Sequence, residues 1–166
     1  MGGFKITVGA LAEVVGGVCV GGDPEATVRA VATDSRRLPA KPFVYNALKG
    51  PNFDGNSFSA VASESMLARA VIVQSAEHVP EQHRDRVSTI VVEDGLCALH
   101  ALAAWWRRQF RGQVIGVTGS NGKTTAKEML ASILSPECRL FRSPGSYNSQ
   151  VGVALSILMA PDDADV

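Results

Sequence analysis

A glycine-rich stretch between residues 116 and 125 constrains the fold more than any other feature of the sequence. It reads GVTGSNGKTT. The apolar run Val114–Val117 enters it and predicts a short buried strand, and the segment from Lys123 to Leu134 has the apolar spacing of a helix. A tight turn between a strand and a helix is typical of α/β domains, and its glycines allow close approach of the backbone to a ligand.

The same turn has the chemistry of a phosphate-binding loop. Its N–H groups and the helix N-terminus form a nest for anions. Lys123 is placed to reach the β- and γ-phosphates of a nucleotide, and the Thr124 hydroxyl to ligate Mg²⁺. The standard pattern GxxxxGK[ST] requires a glycine where this chain has Val117, so only the last part is intact. The alternative is a glycine turn that merely precedes a lysine, and the flanking strand and helix favour nucleotide binding.

Seven residues are therefore predicted to bind ATP, and two of them to be catalytic. Lys123 and Thr124 carry the predicted catalytic roles, and Thr124 is the predicted metal ligand. The ATP-binding set is Gly119, Ser120, Asn121, Gly122, Lys123, Thr124 and Thr125.

Strands and helices alternate along the rest of the chain, which predicts α/β layers with mainly parallel pairing. A boundary near Gly112 separates a first domain, residues 1–112, from the start of a second, residues 113–166. The predicted strands are Val28–Ala32, Phe43–Tyr45, Ala70–Val73, Thr89–Val92 and Val114–Val117. The predicted helices are Thr7–Val15, Ser57–Ala68, Asp94–Phe110, Lys123–Leu134 and Asn148–Met159, and a loop is expected from Gly50 to Asn56.

Charge and composition exclude several classes of protein. The 166 residues contain 16 Lys and Arg against 16 Asp and Glu, so no broad basic surface for nucleic acid is expected. No apolar run reaches the roughly 20 residues of a membrane span, and Met1–Lys5 lacks a signal-peptide pattern. Three scattered cysteines without a CxxC pair argue against a zinc site or a disulfide framework. We expect a cytoplasmic monomer.

Other chemistry-bearing residues receive structural interpretations. The histidines are far apart in sequence, which argues against a metal or catalytic role for any of them. The adjacent tryptophans are more typical of packing than of a stacking platform for bases. The residues concerned are His78, His83, His100, Trp105 and Trp106.

Several stretches resemble the Mur ligase family. The run TGSNGKTT, complete from Thr118 to Thr125, is similar to that superfamily's phosphate loop. Thr33–Arg36 resembles the DSR motif that opens the uridine-diphosphate site of these ligases. Ala47–Gly50 and Phe53–Gly55 resemble their ALKG…FDGH stretch. The resemblance implies a UDP-substrate-binding α/β domain over residues 1–112, followed by the beginning of a P-loop ATP-binding central domain over residues 113–166.

Two further stretches resemble the MurF type in particular. They are the helix Asp94–Phe110 leading into the phosphate loop, and the segment Ser143–Val153 with its N-x-x-[IV]-G-V pattern. The chain also departs from the family pattern. Tyr45 and Asn46 stand as two extra residues before Ala47, and Asn56 stands where the family usually has histidine.

The resemblance implies a reaction and its substrates. MurF-type ligases join D-Ala-D-Ala to UDP-MurNAc-tripeptide through an acyl phosphate, using ATP and Mg²⁺. The residues implied in substrate binding are Asp34, Ser35, Arg36 and Asn148. From the residues alone, Asp34–Arg36 is more typical of a capped turn with a local ion pair than of a ligand site, although Arg36 offers a fork suited to phosphate or carboxylate.

The length of the chain adds an expectation. Mur ligases have three domains, so this chain should carry only the front part of one and should be inactive alone. Three alternatives remain open: a segment of a MurE-type ligase, a non-catalytic module that binds a UDP-sugar peptide, and a generic phosphate-loop switch protein.

Overall fold

The structure is a computed structural model that describes residues 3–166. Residues 1 and 2 lie outside the described residues. They belong to the stretch Met1–Lys5, for which no signal-peptide pattern was found in the sequence. The strands are Ile6–Thr7 (β1), Val18–Val20 (β2), Thr27–Val28 (β3), Ala30–Ala32 (β4), Phe43–Asn46 (β5), Lys49–Gly50 (β6), Phe53–Asp54 (β7), Ala68–Val73 (β8) and Ser88–Val91 (β9). The helices are Val8–Val15 (α1), Ser59–Glu64 (α2), Gly95–Gln109 (α3), Lys123–Leu134 (α4) and Gln150–Met159 (α5).

A five-stranded sheet in the order β2-β9-β8-β5-β4 forms the centre of the fold. Strands β4, β5, β8 and β9 are parallel, and β2 runs antiparallel along β9 at the edge. This arrangement confirms the predicted α/β class. Because the four parallel strands point the same way, their carboxyl ends share one edge of the sheet, where ligands of open α/β sheets bind.

The parallel strands are buried on both faces. Val44 and Ile72 face the cluster formed with α1, α3 and α5, whereas Phe43, Tyr45 and Val71 face the cluster that includes residues of α2. Alternate side chains point to opposite faces of a strand, so helices on both sides produce near-continuous apolar runs. That pattern is why these strands could be predicted from sequence.

Local capping explains the starts of α1 and α3. The Thr7 hydroxyl accepts a hydrogen bond from the Ala10 amide, 3.4 Å away, and α1 ends at Gly16, whose φ of 65° suits glycine. The Asp94 carboxylate accepts from the Cys97 amide at 2.7 Å. These boundaries agree with the predicted ones.

The end of α3 differs from the prediction. The predicted helix reached Phe110, whereas α3 stops at Gln109 and Phe110 is already extended. A Cβ at Gly112 would lie 2.5 Å from the Phe110 ring and 2.6 Å from the Ala164 carbonyl oxygen. Gly112 therefore allows the chain's last residues to pass close to the end of α3.

The predicted helix Ser57–Ala68 is wrong in length. Helix α2 has six residues, and Phe58, Val61 and Met66 are 47%, 51% and 73% exposed. The residues that face the sheet are the small Ser59, Ala62 and Ser63, which are fully buried. Small side chains let α2 approach the sheet closely, so the large apolar ones point outward.

Two strand predictions are also wrong. Val28–Ala32 is divided between β3, which pairs with β1, and β4, which joins the large sheet. Val114–Val117 forms no strand, since within residues 3–166 no segment pairs with it through a ladder of hydrogen bonds. Apolar runs become strands only where a partner supplies those bonds.

The structure contains two elements that the sequence did not predict. The edge strand β2 has exposed side chains throughout and no alternating pattern. The expected loop Gly50–Asn56 contains part of a short antiparallel hairpin, formed by β6 and β7.

Helix α5 packs on α3 and completes the first core. Ala154 and Leu158 are buried there. The Trp106 indole N–H donates to the Ala160 carbonyl at 3.2 Å, and His100 Nε2 lies 3.3 Å from the Gln150 carbonyl oxygen. The predicted packing role of Trp106 is confirmed, since its ring also meets Phe4 edge-on. Among the described helices, none combines the length and apolar character needed to cross a bilayer.

Candidate functional site

The phosphate loop ends at the N-terminus of α4. Gly122 has a φ of 76° and Gly119 a φ of 146°, conformations that side chains rarely adopt. No side chain caps α4, so the amides of Lys123, Thr124 and Thr125 have no acceptor from a cap. Free amides at a helix N-terminus, combined with the helix dipole, attract a phosphate group.

Lys123 lies over this loop. Its ammonium donates to the Gly119 carbonyl and lies 3.5 Å from the Ser120 carbonyl oxygen. These weak local partners hold the charge above the nest of amides. A bound phosphate would replace carbonyl dipoles by full negative charges, which is a stronger partner for an ammonium group.

A cavity of about 680 Å³ lies beside the loop. Its lining includes Gly116–Gly119, Lys123, Thr124 and Asn148. Asn148 thus shares a cavity with the phosphate loop, and its role in substrate binding stays a prediction. The remaining predicted loop residues lie outside the lining of this cavity: Ser120, Asn121, Gly122 and Thr125.

Protein ligands for a metal are few at this site. Within the described part of the chain, no group of three or more His, Cys, Asp and Glu side chains could hold an ion. Thr124 is exposed at the cavity and is available through its hydroxyl. Mg²⁺ keeps several waters and takes phosphate oxygens when it binds with a nucleotide, and the Thr124 hydroxyl would supply one further ligand.

The second group of predicted residues lies at the carboxyl edge of the sheet, directly after β4. The Arg36 guanidinium donates to both carboxylate oxygens of Asp34, at 2.9 and 2.8 Å. This hydrogen-bonded guanidinium lowers the pKa of Asp34 to about 2. The observed geometry is the local ion pair of a turn, and the Arg36 side chain is 85% exposed. Ser35 lies between them, half-buried.

The strand end next to Asp34 is closed by Tyr45 and Asn46. Burial raises the pKa of Tyr45 to about 12, and the carboxylates of Asp34 and Asp54 add to the rise. The Tyr45 hydroxyl donates to the Gly55 carbonyl, and the Asn46 amide donates to the Gly95 carbonyl. The two extra residues therefore extend β5 and anchor the start of α3.

Asn56 and Gln74 form a polar network at the same edge, which sequence reasoning missed. The Asn56 side-chain amide donates to Asp54 and to the Gln74 side chain, and the Gln74 amide donates to the Glu93 carbonyl. These bonds tie the hairpin β6–β7 to the ends of β8 and β9. The signal available in the sequence was Gln74, a polar residue directly after the buried strand β8.

Comparisons with known proteins find similarity to Mur ligases. Residues 117–166 match the model of the Mur ligase middle domain. Over 164 residues the chain is 37% identical to the UDP-N-acetylmuramoyl-tripeptide–D-alanyl-D-alanine ligase of Bacillus subtilis, and the match covers 98% of this chain and 35% of that protein. The chain is thus similar to Mur ligases over nearly its whole length, and residues 117–166 match their middle domain.

Solved structures of Mur ligases agree with this similarity. A crystal structure of MurF from Acinetobacter baumannii matches with a TM-score of 0.83 and 30% identity, over 99% of this chain and 35% of that one. MurF from Thermotoga maritima in complex with ADP matches with a TM-score of 0.66 and 34% identity, over 80% and 29%. The chain spans about a third of the length of the relatives it matches. The resemblance to MurF-type ligases is confirmed.

Proposed function

We propose that this chain supplies the UDP-substrate-binding and ATP-phosphate-binding parts of a ligase that joins D-Ala-D-Ala to UDP-MurNAc-tripeptide. The observation that supports it most is the glycine loop at the start of α4, with Lys123, Thr124 and Asn148 around one cavity. Similarity to ligases named for this reaction supports the substrates. The proposal keeps the predicted boundary near Gly112 and a cytoplasmic location.

The reaction would proceed in two steps. A terminal carboxylate oxygen of the tripeptide attacks the γ-phosphorus of ATP, the bond to the bridging oxygen breaks, and ADP departs. The amine of D-Ala-D-Ala then attacks the carbonyl carbon of the acyl phosphate. The bond to the phosphate oxygen breaks, phosphate departs, and the amine loses a proton to solvent.

The chain's own groups would act mainly by placing positive charge. Loop amides hold the phosphate chain, and Lys123 stabilises the charge that spreads over the transferring phosphoryl group. Mg²⁺, anchored by Thr124, would supply further neutralisation when bound with the nucleotide. Arg36 would pair with the diphosphate of the UDP substrate, exchanging Asp34 for a phosphate oxygen.

Calorimetry on the purified chain tests the binding part of the proposal. We expect separate saturable binding of Mg-ATP and of UDP-MurNAc-tripeptide. Lys123→Ala should abolish measurable ATP binding and keep UDP-substrate binding, and Lys41→Ala, at an exposed lysine far from the loop in sequence, should change neither. Binding of the UDP ligand without Mg-ATP would overturn the nucleotide part and favour a non-catalytic module.

A chimaera tests the activity. Residues 1–166 would replace the matching front third of the Bacillus subtilis ligase, and phosphate release would be measured with and without D-Ala-D-Ala. We expect release that depends on D-Ala-D-Ala and is lost with Lys123→Ala. The chain alone should release none; release by it that needs both substrates and Lys123 would contradict that expectation.

A further inference from the structure

Lys127 makes contacts that differ in kind from those of Lys123. Its ammonium donates to the Ser143 carbonyl at 2.8 Å and to the Gly145 carbonyl at 2.7 Å. It also lies 3.4 Å from the Glu128 carboxylate, and its side chain is only 18% exposed. Three oxygen partners around one half-buried ammonium group fix its position.

The segment that Lys127 holds, residues 142–148, is fastened at both ends. At its start, the Arg142 guanidinium pairs with the Glu128 carboxylate on α4. At its end, the backbone of Tyr147 packs against α5, where a Cβ at Gly152 would lie 3.0 Å from the Tyr147 Cα. The segment therefore bridges the phosphate-loop helix and α5, and Asn148 lies at the α5 end of this bridge.

The position of Lys127 on α4 links this bridge to the nucleotide site. Lys127 follows Lys123 by four residues, so both lie on one face of the helix, and both line the same cavity as Asn148. Because two carbonyls of a distant segment and the Glu128 carboxylate surround the Lys127 ammonium, it is poorly placed to bind phosphate itself. Its contacts instead join the phosphate-loop helix to the segment that leads to Asn148.

We propose that Lys127 is a positioning residue, which holds the segment 142–148 so that Asn148 faces a nucleotide bound at the phosphate loop. This inference rests on the proposed function, because it assigns Lys127 to the same nucleotide site. Its removal leaves the Ser143 and Gly145 carbonyls without their donor and frees the segment to move away from Lys123.

Nucleotide binding by a matched set of variants tests the proposal. We expect Lys127→Met to weaken Mg-ATP binding about tenfold. Lys127→Arg, which keeps a cation able to reach both carbonyls, should restore most of the affinity, and Lys41→Met should bind like the unmodified chain. Asn148→Ala should weaken binding in the unmodified chain and have little further effect in Lys127→Met.

Additive effects of Lys127→Met and Asn148→Ala, or no rescue by arginine, would overturn the proposal in favour of a merely structural lysine. Hydrogen exchange in the nucleotide-free chain gives a second measurement. Lys127→Met should speed amide exchange in residues 145–149 and leave β8 and β9 unchanged; unchanged exchange in 145–149 would also overturn it. If the unmodified chain fails to bind Mg-ATP, the proposed function is overturned. Hydrogen exchange then still tests whether Lys127 holds the segment 142–148.

Discussion

The parallel sheet and the phosphate-loop region are built on different principles. In the sheet, β5 and β8 are buried over nearly every residue. Between residues 113 and 149, Ala131 is the one buried side chain. The first region gains its stability from apolar burial on two faces, whereas the second is held by a few polar contacts and by its ends. Substitutions should therefore change folding in the first region and binding in the second.

The largest difference in the free energy of unfolding should come from the same substitution, isoleucine to alanine, made once in each region. Ile72 in β8 is 1% exposed and Ile133 in α4 is 69% exposed. We expect Ile72→Ala to lower the free energy of unfolding by about 2–5 kcal/mol, because it leaves a cavity in the core. Ile133→Ala should change it by less than about 0.5 kcal/mol. Urea denaturation measures both, and equal losses would remove the distinction between the regions.

Two glycines provide the next contrast. A Cβ at Gly95 would collide with the Ala47 carbonyl oxygen, whereas a Cβ at Gly116 would meet nothing within 4 Å. We expect Gly95→Ala to cost about 1–3 kcal/mol, because helix α3 would have to move away from the end of β5. Gly116→Ala should unfold at the same denaturant concentration as the unmodified chain; a shift as large as that of Gly95→Ala would contradict the argument.

Backbone strain should have different consequences in each region. Gly16 and Gly122 have φ values of 65° and 76°, and nothing lies within 4 Å of a Cβ at either. Alanine costs about 1–2 kcal/mol in this conformation. Gly16→Ala, next to the core, should lower the melting temperature. Gly122→Ala should distort the loop and weaken Mg-ATP binding, with little change in melting. Calorimetry and thermal melting separate the two outcomes.

The smallest expected effect concerns the exposed ion pair at the edge of the sheet. Arg36→Ala should raise the pKa of Asp34 from about 2 toward 3.8, as followed by carboxyl NMR. Because the pKa of Asp34 is lower in the folded chain than in the unfolded chain, the ionised carboxylate stabilises the fold at pH values above the unfolded pKa. This stabilisation is lost as pH falls through about 2. The variant should therefore lose stability only above about pH 4, and only slightly, because the pair is solvent-exposed. Bound UDP substrate should raise the same pKa if Arg36 turns to the diphosphate.

Features set by nearby residues could be predicted from the sequence. Helix α4 was predicted from Lys123 to Leu134, as observed, and α3 was found from its cap at Asp94. The apolar runs of β5, β8 and β9 reflect burial on two faces. The phosphate loop was recognised because its chemistry lies within ten consecutive residues.

Features set by distant partners could not be predicted. Val114–Val117 has a strand's composition but no partner for a ladder. Strand β2 exists because β9 offers a free edge, which its own residues do not indicate. The contacts of Lys127 join positions 16 and 18 residues apart. A spacing of four from Lys123 was the only local sign that Lys127 shares the site.

The attachment of α5 to α3 has a mechanical consequence. His100 and Trp106 hold the two ends of α5 on the helix that precedes the phosphate loop. The stretch between the two helices, residues 110–149, thus leaves the sheet domain and returns to it, so both of its ends are attached. A segment attached at both ends can shift or bend but cannot rotate freely away from the sheet domain. A displacement of the phosphate loop relative to the sheet must therefore be accommodated within this stretch, between the end of α3 at Gln109 and the start of α5 at Gln150.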